Sequence, residues 1–255
     1  MSDDRAFIAV AALLLAVSTA VTIAWCLSMS AMGSMPMPGG WTMSMAWMRM
    51  PGQSWPGAAA MFLGMWVVMM VAMMLPSLAP MLWRYRQAVA DPHTTLVGLG
   101  YFFVWTMIGA AVFLIGIALA AIQMQQPAVA RAAPVAAGVV VLIAGSLQFT
   151  RWKLRHLECC RATAVRSRTL PDDAAQAWRY GMRLGLHCAQ CCAGLIAILL
   201  VIGVMNPGAM AVIAAAITIE RVLPAGERVA RMMGAIIMTT GVLIIAVTLL
   251  PASRG

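Results

Sequence analysis

The sequence predicts an all-α membrane protein, a polytopic bundle of about seven transmembrane helices. Three observations support this prediction. Of the 255 residues, 63% are hydrophobic and only 10% are charged; apolar runs of membrane-spanning length recur along the chain; and the basic residues gather on alternate connections. A soluble domain is typically about 45–50% apolar and 25% charged. We expect one membrane domain over residues 1–255, because the longest polar segment is too short for a core of its own.

Seven apolar stretches are the predicted spans, since a helix needs about 20 apolar residues to cross a hydrocarbon layer roughly 30 Å thick. The fourth and sixth are short, and in order the seven are Ala6–Leu27, Gly57–Leu82, Leu96–Ile122, Pro134–Thr150, Leu184–Met205, Gly208–Ile219 and Met232–Leu250. The first exceeds the 7–15-residue apolar run of a secretory signal and follows Asp3 and Asp4 rather than a basic start. We therefore interpret it as a retained helix.

The 17 basic residues predict the orientation. With seven spans and a cytoplasmic N-terminus, 14 of them fall in cytoplasmic segments and three, Arg49, Arg131 and Arg254, fall outside. Cytoplasmic loops carry an excess of Lys and Arg, so we expect this orientation in a bacterial inner membrane. The net charge of +9 then follows from topology and from attraction to the lipid bilayer, and no nucleic-acid partner is expected.

The predicted extracytoplasmic loop, residues 28–56, is rich in methionine and contains no acidic residue. Its methionines recur at short intervals: Met29, Met32, Met35, Met37, Met43, Met45, Met48 and Met50. Thioethers are soft, uncharged ligands that persist where thiols would be oxidised, which suits capture of Cu(I), and silver would fit equally well. The alternative is a hydrophobic cap on the membrane surface, anchored by Trp41, Trp47 and Trp55.

The second span continues the methionine pattern. Steps of four residues place Met61, Met65, Met69 and Met73 on one helix face, joined by Met70 and Met74. We interpret this stripe as a candidate metal relay through the membrane. Helix packing also follows rows of residues four apart, so ordinary core packing is the alternative.

Cysteine and histidine gather at the predicted inner ends of the fourth and fifth spans, within and just after a basic cytoplasmic loop over residues 151–183. The candidate metal ligands are His156, Cys159, Cys160, His187, Cys188, Cys191 and Cys192. In a reducing compartment such cysteines favour metal binding over disulfides. Thiolate and imidazole together favour Cu(I), with zinc as the second choice. The alternative is that the cysteines act only as small buried hydrophobes.

Catalytic patterns are absent from the sequence: it has no phosphate-binding glycine loop, nucleophile–base arrangement or carboxylate pair. We therefore expect no enzyme. Active proton-coupled transport is not expected either, because all eight acidic residues lie in predicted cytoplasmic segments or near inner helix ends. Glu220–Arg221 is a functional candidate as an ionisable pair at membrane depth, but it lies close enough to the inner surface to be an ordinary helix-end pair.

The chain resembles the predicted metal-binding integral membrane proteins of domain of unknown function 2182. The shared motifs are Met65–Trp66 through Met73–Met74–Leu75–Pro76, Gln148 with Lys153, Cys160–Arg161, Cys188–x–x–Cys191–Cys192, Gly203–Val204–Met205–Asn206 and Glu220–Arg221. The resemblance spans about residues 57–238, and some relatives are described as copper chaperones. It implies an all-helical membrane protein that handles copper. His156 stands in place of an expected cysteine, Gln190 of a glycine and Ala193 of a tryptophan, which affects the predicted affinity and metal preference.

These observations favour a copper-binding membrane protein, either a transporter or a copper chaperone. The loop would collect Cu(I) outside, the stripe would offer weak successive sites, and the inner cluster would receive the ion. The expected partners are the bilayer, the metal ion and a copper-dependent membrane enzyme or metallochaperone. Two alternatives stay open: a membrane thiol redox enzyme that uses the vicinal cysteines, and a metal-stabilised scaffold for a larger assembly.

Overall fold

The computed structural model describes residues 2–31, 33–49, 52–89, 93–162, 173–223 and 226–250. These ranges contain the helices α1 (Ser2–Ala31), α2 (Trp55–Val89), α3 (Thr94–Gln125), α4 (Pro127–Leu147), α5 (Arg151–Ala162), α6 (Ala174–Ile202), α7 (Pro207–Val222) and α8 (Gly226–Leu249), together with strands β1 (Ser34–Met37) and β2 (Trp41–Ser44). The predicted all-α membrane bundle is confirmed.

Six of these helices are long and apolar enough to cross a membrane: α1, α2, α3, α4, α6 and α8. The sixth predicted span differs, because α7 has only 16 residues and reaches about 24 Å at 1.5 Å per residue. The outward faces of the long helices carry large apolar side chains, such as Leu13, Leu114 and Val247, which are 64%, 63% and 70% exposed. A surface of this kind is stable against lipid and not against water.

The segment predicted as a basic cytoplasmic loop is largely helical. It contains α5 and the first ten residues of α6, whereas residues 163–172 lie outside the described part of the chain. Arg, Lys, Gln and Ala are good helix formers, so the helices continue well beyond the apolar runs. Cys188 consequently lies 14 residues, or about 21 Å, from the start of α6, inside the bundle and not at a helix end.

Part of the methionine-rich loop folds as a β-hairpin. Strands β1 and β2 pair antiparallel, with Met35 opposite Met43. Gly39 and Gly40 form the turn with φ of 104° and 78°, a region that favours glycine. Trp41 Nε1 donates to the Ala130 carbonyl at 2.8 Å. This contact fixes the hairpin against the start of α4.

Two glycines let α6 cross very close to α3. A Cβ at Gly181 would collide with the Val97 carbonyl, and one at Gly185 would lie 2.8 Å from the Tyr101 carbonyl. Small residues four apart are a common device for close helix contact in membranes. The close crossing brings the Tyr101 side chain to the cysteines of α6.

Candidate metal site

The three cysteines of α6 form a buried group. Cys188, Cys191 and Cys192 are spaced three and four residues apart, so they share one helix face, and they are 0%, 2% and 2% exposed. Cys192 Sγ lies 3.9 Å from Cys188 Sγ and 3.5 Å from Cys191 Sγ. None of these three is in a disulfide. The structure thus brings together three of the predicted ligands.

Met74 of α2 adds a fourth sulfur. Its Sδ lies 3.9 Å from Cys188 Sγ, and Tyr101 Oη of α3 is at hydrogen-bond distance, 2.9 Å, from the same thiol. We call Met74, Cys188, Cys191 and Cys192 the four-sulfur cluster. Two sulfurs on one metal ion at about 2.3 Å per bond are about 3.8 Å apart in tetrahedral and 4.0 Å apart in trigonal geometry. Two of the observed separations match that spacing.

The remaining separation is shorter. The contact between Cys191 and Cys192 is a thiol–thiol contact, and within the described ranges no three His, Cys, Asp or Glu side chains already form a coordination shell. A small rotation about one cysteine side chain would widen the gap by the few tenths of an ångström required. The donor set, three thiols and one thioether in an apolar core, suits a soft monovalent ion better than a hard cation.

A buried ionic network borders the cluster. Lys153 of α5 is the only lysine in the sequence and is 4% exposed. Its Nζ donates to the Cys191 carbonyl at 2.6 Å and lies 2.8 Å from Glu220 Oε2 of α7, itself 2% exposed. Gln148 Nε2 donates to Glu220 Oε1 at 3.2 Å. Charges at such depth are costly and are retained mainly at functional sites.

Arg221 places a further positive charge near the cluster. Its Nη1 donates to Ser77 Oγ at 2.8 Å, and Ser77 Oγ in turn donates to the Met74 carbonyl at 3.0 Å. The two hydrogen bonds link the guanidinium of Arg221 through Ser77 to the backbone of Met74. The sequence suggested an ordinary helix-end pair at Glu220–Arg221, whereas Glu220 lies in the core against Lys153.

The two predicted histidines meet at the contact between α5 and α6. The ring centroids of His156 and His187 are 5.9 Å apart. His156 Nδ1 donates to the Trp152 carbonyl at 2.8 Å, which leaves Nε2 as the ring nitrogen with a lone pair; ligating histidines are commonly oriented in this way. His187 Nδ1 is buried and has no hydrogen-bond partner within the described residues. The structure thus brings two of the predicted ligands together, and His187 immediately precedes Cys188 in the sequence.

The methionines of α2 lie inside the bundle. Met65, Met69 and Met73 are buried, as are the neighbouring Met70 and Met74, whereas Met61 is 48% exposed. Met74, not Met73, makes the contact with the cysteines. Sulfur therefore extends along the buried face of α2 as far as the four-sulfur cluster.

The loop methionines that the structure describes divide into two groups. Met37 and Met43 are buried against Ala120 and Ala130, with Met35 packed beside them. The other group lines a small cavity of about 40 Å³, which we call the methionine cavity. Its methionines are Met29, Met45, Met48, Met61, Met65 and Met205. This volume exceeds the 10–15 Å³ that one water molecule needs, so an ion fits.

Some predicted ligands lie outside the described residues: Met32, Met50 and the side chains of Cys159 and Cys160. Tyr101 was not predicted as a partner of Cys188, because an isolated tyrosine in an apolar run carries no pattern. Lys153 belongs to a motif shared with the family, but the motif alone indicated no role for it. A single lysine in a protein with 17 basic residues was the signal that could have identified it.

The comparisons with known proteins agree with this chemistry. No curated protein and no solved structure matches the chain. The family model described as PpoB2, copper chaperone, matches residues 63–244, which include α3 to α7 and all the residues of the four-sulfur cluster but not the methionine-rich loop. This is the family that the sequence motifs suggested, and the match covers more than two thirds of the chain. The chain therefore belongs to the copper chaperone family.

Proposed function

We propose that this membrane protein binds Cu(I) at the four-sulfur cluster and receives the ion from the methionine-rich loop by way of the methionine cavity and α2. The observation that carries the proposal is the convergence of four buried sulfurs from two helices at separations of 3.5–3.9 Å. An apolar packing role does not require cysteines next to a buried lysine, glutamate and glutamine.

The order of ligands gives the direction of transfer. The methionine cavity and the α2 stripe offer only thioethers, which bind Cu(I) weakly and exchange it easily, whereas the cluster offers three thiols. Transfer of the ion from the thioethers to the stronger thiolate ligands of the cluster lowers its free energy, so no energy source is needed. On the topology favoured by the basic residues, this transfer runs from the outside of a bacterial inner membrane inward.

The histidine pair continues the route beyond the cluster. His156 of α5 and His187 of α6 meet where these two helices contact each other, and Cys159 and Cys160 follow His156 by about one helical turn. We propose that this pair accepts the ion before release to a copper-dependent membrane enzyme or a metallochaperone. The protein binds and transfers its cargo in this scheme and catalyses no reaction.

The thiol redox alternative has weaker support. Cα atoms of adjacent residues are 3.8 Å apart, below the 4.4–6.8 Å of ordinary disulfides, so Cys191 and Cys192 are poorly placed to pair. Burial also separates both thiols from a redox partner. In the scaffold alternative the same cluster would hold one ion that does not exchange, and isotope exchange of bound copper distinguishes the two roles.

The test is an anaerobic titration of purified protein against a coloured Cu(I) chelator. Loss of a residue that only orients a ligand typically costs 10–100-fold in affinity, so we expect Cys192→Ser, which removes a ligand, to cost more than about 100-fold. The matched control is Cys26→Ser, because Cys26 is also 2% exposed but lies on α1. If Cys192→Ser binds Cu(I) as tightly as Cys26→Ser, the proposed site is wrong. Repeating the titration with Zn(II) ranks the two metals.

A further inference from the structure

A large groove separates α1 from α2. Its volume is about 580 Å³, within the range of 300–1,000 Å³ for small-molecule sites. The groove is not part of the proposed copper route, since its lining contains no cysteine, histidine or methionine. The shape of the groove and the positive charge at one end indicate which ligand it can bind.

Small side chains and prolines create the groove. On α2 its wall includes Pro76, Ala79 and Pro80, and on α1 it includes Ala11 and Ala12. These residues leave a depression where two longer side chains would interlock. Among the described elements α1 packs mainly against α2, so the groove opens along one side of the bundle to the surroundings of the membrane.

One end of the groove is polar and positive. Arg84 and Gln87 line it there, the other ten lining residues are apolar, and none is acidic. Phe7 and Trp83 meet edge to face at this end, with ring centroids 6.1 Å apart, and Arg86 lies over the Phe7 ring. Trp beside Arg is typical of the level of lipid headgroups.

The length of the groove matches one leaflet. From Leu75 to Gln87 the lining follows α2 for 12 helical steps, or about 18 Å along the axis at 1.5 Å per residue. Half of a hydrocarbon core is about 15 Å thick. An acyl chain that follows the groove from Arg84 would therefore end near the middle of the bilayer.

We infer that this groove binds one anionic phospholipid, with its phosphate at Arg84 and Gln87 and one acyl chain along Pro76–Pro80. Arginine binds phosphate through two parallel N–H donors. The acyl chain fills the apolar space between the two helices. The bound lipid completes the packing between α1 and the rest of the bundle, and it does so whether or not copper is present.

The test is native mass spectrometry of the purified protein in detergent with phosphatidylglycerol or phosphatidylcholine added. Wild type is expected to retain one phosphatidylglycerol in preference to phosphatidylcholine. Arg84→Gln should reduce that preference about fivefold, which corresponds to the binding free energy that one basic residue usually contributes at a membrane surface. Ala79→Leu fills the groove and should reduce retention of both lipids. The control is Arg155→Gln, an exposed arginine on α5, which should change neither.

Three outcomes would overturn the inference. The first is equal retention of phosphatidylglycerol by wild type, Arg84→Gln and Ala79→Leu. The second is equal retention of the two lipids by wild type. The third is full displacement of the lipid by glycerol phosphate, which has no acyl chain and would show a phosphate site alone. Gel filtration of each variant confirms that the bundle is folded, and because no copper is added, the result is independent of the proposed copper site.

Discussion

Substitution of Lys153 by methionine tests the role of the buried network. Methionine keeps most of the side-chain length but removes the charge, so the hydrogen bond from Nζ to the Cys191 carbonyl and the ion pair with Glu220 are both lost. Removing one member of a buried pair typically costs 3–5 kcal/mol, because the other charge is left uncompensated. Gln148 still donates to Glu220. We therefore expect a loss near the lower end of that range, about 3 kcal/mol, in the free energy of unfolding.

The assay is reversible unfolding in mixed micelles, together with Cu(I) titration. The double variant Lys153→Met/Glu220→Gln removes both charges and keeps an amide that can pair with Gln148. It should recover most of the lost stability, since neutral replacement of a buried ion pair is often nearly neutral in free energy. Arg155→Met, on the exposed side of α5, should change stability by less than about 0.5 kcal/mol. A loss below about 1 kcal/mol for Lys153→Met, or a double variant no more stable than the single one, would refute this reasoning.

Three further predictions concern the surroundings of the cluster. Gly181→Ala should cost about 1–3 kcal/mol of stability, because the new methyl group meets backbone of α3; unfolding measurements that show no loss would contradict the close helix crossing. Tyr101→Phe removes the hydroxyl 2.9 Å from Cys188 Sγ and should weaken Cu(I) binding up to about tenfold, the worth of one hydrogen bond, in the chelator titration. Met48→Leu, in the methionine cavity, should slow copper loading of the protein in vesicles without changing its final affinity, whereas Met37→Leu, in the hairpin core, should leave the loading rate unchanged; equal rates for the two variants would exclude the cavity from the route.

The helices could be predicted from the sequence because the apolar runs are long and the bilayer demands helices of known length. The end of the fifth predicted span was harder to place. The continuous apolar run begins at Leu184, so the span was predicted to start there. The helix α6 already begins at Ala174, since Arg, Gln and Ala favour a helix about as well as leucine does. The cysteines consequently lie deeper in the bundle than the apolar run suggests.

The candidate site was predictable where the ligands lie on one helix and less so where several helices meet. Cys188, Cys191 and Cys192 follow from their spacing alone. The contact from Met74 depends on how α2 rotates against α6, and the Lys153–Glu220 pair joins residues 67 positions apart. One sequence does not reveal such pairings. The same limit applies to the loop, where hairpin register decides that Met37 and Met43 pack and that Met45 and Met48 line the cavity.

The separation of Lys153 and Glu220 along the chain has a consequence for biogenesis. At a synthesis rate of about 5–20 residues per second, the 67 residues between them take roughly 3–13 s to emerge. Until then the lysine has no carboxylate to neutralise it in the bilayer, so we expect α5 to stay at the water boundary and the thiols of α6 to stay accessible. A chain ending at Met205 should accordingly react with a thiol reagent that the complete protein excludes. The thiols of the unfinished chain would thus be open to reagents and metal ions until α7 arrives, and the complete bundle would then shield them.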